Sequence, residues 1–139
     1  VNGVRYVNDS KATNAHAAAA SLTSFESVVW ILGGLLKGVD ISDLIGQFAP
    51  RLRGAVVIGL DRVEIVEAFR NLAPSVPLVE ISEGNSVMTK AVEAASSLAS
   101  SGDVVLLAPA AASMDQFLNY QQRGEQFIEA VRNFTGGVK

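Results

Sequence analysis

"VVWILGG", residues 28–34, decides the fold. Its first five residues are all apolar and leave no position to face water. A strand built from them must therefore be covered on both sides, as central strands of parallel sheets are. "AVVIGL" (55–60) and "DVVLLAP" (103–109) repeat the feature, with unbroken apolar runs at 55–58 and 104–107. Working outward, "VRYV" (4–7) and "PLVEI" (77–81) read as two further strands. Helical patterns separate them. "TNAHAAAASLTS" is alanine-rich and suits close helix-to-sheet packing. "DISDLIGQFAPRL" carries Ile41, Leu44, Ile45 and Phe48, and "DRVEIVEAFRNL" carries Val63, Val66, Phe69 and Leu72. "SVMTKAVEAASSLA" follows, and then a final helix over 115–134. There Phe117, Tyr120, Gly124, Phe127, Val131 and Phe134 recur at three- and four-residue steps and make one face. Asp61, with Glu64 three residues on, has the form of a capping box. Strands alternating with helices at this spacing predict βαβ units: an α/β domain with a parallel sheet and helices on both faces.

Composition narrows the function. At 139 residues the chain is one domain with a substantial core, 49% hydrophobic and 18% charged, with a mean hydropathy of +0.30. Eleven basic against fourteen acidic residues, net −3, leave no basic stripe for nucleic acid or an anionic membrane. No apolar run is long enough to span a bilayer. The absence of cysteine excludes a disulfide framework and a thiolate metal site, and one histidine makes a His-based metal site a poor expectation. No metal ligands are therefore expected, and the compartment is read as cytoplasmic. The opening "VNGVRYV" has no charged leader and no initiator Met, and reads as a piece cut from a longer protein.

Open parallel sheets bind ligands at the carboxyl ends of their strands. Here the first strand runs into Asn8-Asp9-Ser10-Lys11, the second into Gly33-Gly34-Leu35-Leu36-Lys37-Gly38, and the fifth into Ala108-Pro109-Ala110-Ala111-Ala112-Ser113. Two ammonium groups, a hydroxyl and a helix N-terminus meeting on one rim would receive a small anion, a carboxylate or a phosphate. Glycines beside Lys37 would let it approach the backbone. Each position also has a plain structural reading. Asp9 and Lys11 can be a solvated turn, Gly33-Gly34 the turn after a strand, and Lys37 a surface residue. Ser113 can be the N-cap of the segment beginning Met114-Asp115. Arg123 and Glu125 would face solvent on their helix, His16 would be packed or exposed, and Trp30 and Phe25 would be core. There is no GxxxxGK[ST] loop and no GxGxxG turn. Ser113 lacks a histidine partner for a hydrolytic triad. The chain alone is not expected to hydrolyse ATP.

Taken together, "NDSKATN" (8–14), "LGGLLKG" (32–38) and "APAAASMDQFLNYQQRGEQF" (108–127) resemble the C-terminal domain of the Mur ligases, specifically the branch that adds D-glutamate in peptidoglycan synthesis. The resemblance runs over essentially all of residues 1–139. It implies a Rossmann-like fold of about six strands, one of them antiparallel. It also implies a longer enzyme whose N-terminal UDP-sugar domain and central ATPase domain are absent from this chain. That enzyme would activate the L-alanyl carboxylate of UDP-N-acetylmuramoyl-L-alanine as an acyl phosphate, using ATP and Mg2+ held mainly by the central domain. The D-glutamate amine would then attack. By matching motif positions, Thr13, Lys37 and Ser113, with Met114 and the backbone near Tyr120, would hold D-glutamate. Lys11 would be catalytic, beside that site or the transferring phosphate. Asn8, Asp9 and Arg123 would lie on the nucleotide side. Tyr120 stands where the family has Phe. The implied enzyme is a monomer. Two rival readings are a non-catalytic anion- or nucleotide-binding module and a related ligase for another amino acid.

Overall fold

The computed structural model describes residues 3–34, 36, 40–82, 86–111, 117 and 119–136. The elements run β1 (Arg5–Asn8), α1 (Ala15–Thr23), β2 (Val28–Gly33), α2 (Ser42–Phe48), a 3-10 turn (Ala49–Arg51), β3 (Leu52–Ile58), α3 (Arg62–Leu72), β4 (Leu78–Glu80), α4 (Val87–Leu98), β5 (Val104–Leu107) and α5 (Tyr120–Gly136). The strands form one sheet in the order β1-β5-β2-β3-β4, every pair parallel. The class is the expected one. The strand count differs: among the described residues there are five strands, and the antiparallel sixth is not among them. Each connection between successive strands contains a helix, and such crossovers return the chain in the same direction.

The unbroken apolar runs divide by parity. Val28, Trp30 and Leu32 of β2, Ala55 and Val57 of β3, and Val104 and Leu106 of β5 face α1, α2 and α3. The alternate residues Val29, Ile31, Val56, Ile58, Val105 and Leu107 face α4 and α5. Alternation is thus present but concealed, because both sets are apolar. Trp30 is fully buried, meets Phe69 edge-on at 6.2 Å, and donates its indole N–H to the Ala108 carbonyl at 2.7 Å. Trp30→Phe keeps an aromatic ring but leaves that carbonyl without the indole donor. We expect a loss of about 2 kcal/mol, read from the urea midpoint. A shift of under about 0.5 kcal/mol would mean that the hydrogen bond contributes little.

Three helix expectations are corrected. On α3 the buried residues are Ile65, Val66 and Phe69, while Val63 is 67% exposed and Leu72 45% exposed. The stripe follows the i, i+1, i+4 steps of a 3.6-residue period, which an i, i+3 reading misses. Asp61 stands at the N-cap of α3 but makes no side-chain cap; its Oδ2 accepts the Leu36 amide at 2.7 Å instead. Among the described residues the last helix starts at Tyr120, after Phe117 and Asn119, while residue 115, the expected start, lies outside them. The Asn119 side chain accepts the Gln122 amide at 2.8 Å, a cap that sets the start there, and the buried Phe117 precedes the helix. Its inner face is Arg123, Phe127 and Ala130, with Tyr120 and Phe134 each 37% exposed.

At the amino ends of the strands, buried Asp103 accepts the Ser27 hydroxyl at 2.6 Å and the Ser100 amide at 2.8 Å. Those contacts close one end of the sheet. Exposed Asp40 has a carboxyl below its usual range, because the Ser42 side chain and amide hydrogen-bond to it. A depressed carboxylate favours the folded state above its unfolded pKa, so this small contribution is lost on acidification.

Candidate functional site at the carboxyl ends of the strands

The strand ends are tied to one another by backbone hydrogen bonds. Asp9 N–H reaches the Leu107 carbonyl at 2.8 Å, and Gly33 N–H reaches Pro109 at 2.9 Å. Ala110 N–H reaches Ala12 at 2.9 Å, and Asp61 N–H reaches Gly34 at 3.2 Å. The ends of β1, β5, β2 and β3 therefore share one rim. Unusual backbone collects there: Ala110 has φ +61, Gly33 φ +124 and Gly34 φ +142. A left-handed alanine costs about 1–2 kcal/mol and persists only where its surroundings hold it.

The β1–α1 loop leaves the sheet as a tight polar turn. Ala12 N–H bonds to the Asp9 carbonyl at 2.9 Å and Thr13 N–H to the Lys11 carbonyl at 2.8 Å. The Asn14 side chain then caps α1 through the Ala17 amide at 2.8 Å. In this loop Asn8 and Lys11 are exposed, Asp9 and Thr13 are half-buried, and Ser10 is buried. Asn8, Asp9, Ser10 and Lys11 form one wall of a cavity of about 410 Å³, and Tyr120, Gln121, Gly124, Glu125 and Ile128 form the other. Five of the expected site residues thus meet or adjoin one another: Asn8, Asp9, Lys11, Thr13 and Tyr120. Lys37, Ser113 and Met114 lie outside the described residues. Their flanks are on the same rim, through Leu36 bonded to Asp61 and Ala110 bonded to Ala12.

Arg123 departs from expectation. It is not solvent-facing: its exposure is 0%. Its Nε donates to Ser10 Oγ at 2.9 Å, its Nη2 to the Ser10 carbonyl at 2.9 Å, and its Nη1 to the Ala111 carbonyl at 3.0 Å. The Ser10 hydroxyl in turn donates to the Tyr120 carbonyl at 2.6 Å. Nothing in the sequence singles out Ser10. The spacing alone carries no signal for it, since the contact spans 113 residues. His16 is exposed on α1.

The glutamate ligase domain of the Mur ligases matches residues 1–111 of this chain, β1 through the end of β5. The chain belongs to the Mur ligase family. A Mur ligase of Thermobifida fusca, UDP-N-acetylmuramoylalanine--D-glutamate ligase, is 56% identical over 137 residues, covering 98% of this chain and 30% of its own length. The proteins of the same name from Streptomyces coelicolor and Mycolicibacterium smegmatis are 56% and 44% identical, covering 95% and 98% of this chain. The chain spans 28% and 34% of those two Mur ligases, so it corresponds to about a third of each relative. The relatives extend the similarity past residue 111, into the α5 segment that carries Tyr120 and Arg123. Among the described residues, no helix is long and apolar enough to cross a membrane, and no three His, Cys, Asp or Glu side chains group as metal ligands.

Proposed function

We propose that this chain is the D-glutamate-handling domain of a cytoplasmic, monomeric, ATP-dependent ligase. The ligase extends UDP-N-acetylmuramoyl-L-alanine with D-glutamate. The observation that carries this reading is the meeting of the motif-bearing strand ends on one rim, joined by the bonds from Ala110 to Ala12 and from Gly33 to Pro109. D-glutamate presents two carboxylates and one amine. Lys37 and Ser113, with Thr13 and backbone at Met114 and Tyr120, would take the carboxylates through charge-assisted hydrogen bonds. Lys11 would face the group being transferred. The half-buried Asp9 carboxylate and the Asn8 amide line the cavity and suit the hydroxyls of a nucleotide ribose. ATP with Mg2+ supplies the phosphoryl group that activates the acceptor carboxylate, and the rest of the longer enzyme would hold most of it. This domain contributes position: it sets an amine against an activated carbonyl, which lowers the entropic part of the barrier.

The test uses the full-length enzyme and phosphate release. Wild type should turn over with D-glutamate and give no rate with L-lysine or diaminopimelate. Lys37→Ala should raise the KM for D-glutamate at least about tenfold, the loss of one charge-assisted contact of about 1.5–3 kcal/mol. Unchanged kinetics in that variant would remove Lys37 from the site. A wild type without D-glutamate-dependent turnover would leave the non-catalytic binding module or the ligase for another amino acid.

A further inference from the structure

Resting on that reading, we infer that Arg123 is a positioning residue that sets the nucleotide-side loop and the D-glutamate-side segments in one fixed relation. Its described side-chain donors go to Ser10 and Ala111. Arg123 is fully buried, and burying a guanidinium is costly unless its donors are satisfied. A residue needed only to fill the space between α5 and the sheet could be Leu or Met. What Arg adds is a planar fork with donors in fixed directions.

Each described contact lands beside a residue assigned to the reaction. Nε and Nη2 hold the hydroxyl and carbonyl of Ser10, which lies between Asp9 and Lys11. Nη1 holds the carbonyl of Ala111, two residues before Ser113. The Ser10 hydroxyl passes the link to the carbonyl of Tyr120. The guanidinium and the Ser10 hydroxyl together therefore join the distant β1–α1 loop, on the nucleotide side, to the segments at Ala111 and Tyr120, which would carry D-glutamate contacts. The next residue serves the same junction. A Cβ on Gly124 would stand 2.9 Å from Asn8 Nδ2 and 3.2 Å from Ser10 Cβ, so glycine lets α5 approach close enough for the Arg123 bonds to form. Asn8 in turn accepts the Ser10 amide at 3.1 Å. A lysine would keep the positive charge, but a single ammonium cannot reach acceptors on two segments in these directions.

The lever is large, because displacing reacting groups by about 1 Å can cost a hundredfold in rate. The experiment is steady-state kinetics of the full-length enzyme with Arg123→Lys, varying D-glutamate and ATP in turn. Circular dichroism is recorded below the unfolding transition to fix the folded fraction. The inference expects both KM values to rise, that for D-glutamate by about tenfold, in protein that is folded at the assay temperature. A purely structural role predicts a different signature: turnover per total enzyme falls with the folded fraction, and both KM values stay at wild type. Ser10→Ala removes only the hydroxyl link and serves if Arg123→Lys does not fold; it should move both KM values in the same direction by a smaller factor. Unchanged KM values, or a rise in only one of them, overturn the coupling. A wild type that does not use D-glutamate fails the functional reading itself, and the wild-type control separates that failure from this one.

Discussion

Gly33→Ala is expected to lower the melting temperature by roughly 15 °C, a loss of about 4 kcal/mol. Two effects act together at this residue. Its φ of +124 lies where L-residues rarely go, and an added Cβ would sit 1.9 Å from the Ile58 carbonyl oxygen and 2.9 Å from its carbon. Those atoms are backbone of the paired strand, in register with Gly33, and cannot swing aside as a side-chain end could. β2 and β3 would have to part at the point where both enter the rim. Against a total stability of about 5–15 kcal/mol, that loss is a large fraction. Gly46→Ala is the internal control. Gly46 lies exposed in α2, an added Cβ there would meet nothing within 4 Å, and helix propensity favours alanine by about 1 kcal/mol. One chemical change should thus give opposite signs at two sites in calorimetry. A Gly33→Ala protein that melts within about 3 °C of wild type would show that the β2–β3 junction yields freely.

The same position shows what could be read without coordinates. "VVWILGG" told of a doubly covered strand because its apolar run left no wet side, and burial of all six residues of β2 agrees. Its glycines suggested a turn or room for an approaching ligand; at Gly33 the close neighbour is instead the backbone of Ile58 on β3. Short-range features were legible where the chain solves its own problem locally, as Asn14 does in capping α1. They misled where a distant group competes. Asp61 has the sequence of a capping box, yet the amide of Leu36 takes its carboxylate. The start of α5 is hidden in the sequence because Phe117 continues the helical period while belonging to the segment before the cap at Asn119. In α3, Val63 and Leu72 keep the three-residue step yet face solvent, since valine and leucine are also found exposed singly on surfaces.

The candidate site divides the same way. Motif positions pointed to Asn8, Asp9, Lys11 and Tyr120, and the cavity brings them together. Sequence could not reveal that the residue between two of them, Ser10, is the buried one. Loop polarity suggests exposure, and only a partner supplied by α5 makes burial of that hydroxyl tolerable.

Arg123→Met is the second large effect, expected to cost about 3 kcal/mol by urea denaturation at unchanged m-value. Methionine fills much of the volume, so the loss reads polar satisfaction more than cavity. The carbonyls of Ser10 and Ala111 lose the guanidinium donors that hold them, and each buried acceptor left without a partner costs about 1–3 kcal/mol. Ser10 Oγ still donates to Tyr120, so its share of the loss is partial. Opposing this, the folded protein no longer bears the desolvation of a buried cation, a term that can make apolar replacement neutral or even stabilising. That outcome, however, requires the polar partners to be removed along with the charge, and here the two carbonyls belong to the backbone and stay. A double variant separates the contributions. Adding Ser10→Ala to Arg123→Met should cost less than the two single losses combined, because both changes break the same bond between Nε and Oγ. Arg123→Met protein as stable as wild type would mean that water reaches those carbonyls, and that the junction of β1, β5 and α5 is held by its apolar contacts alone.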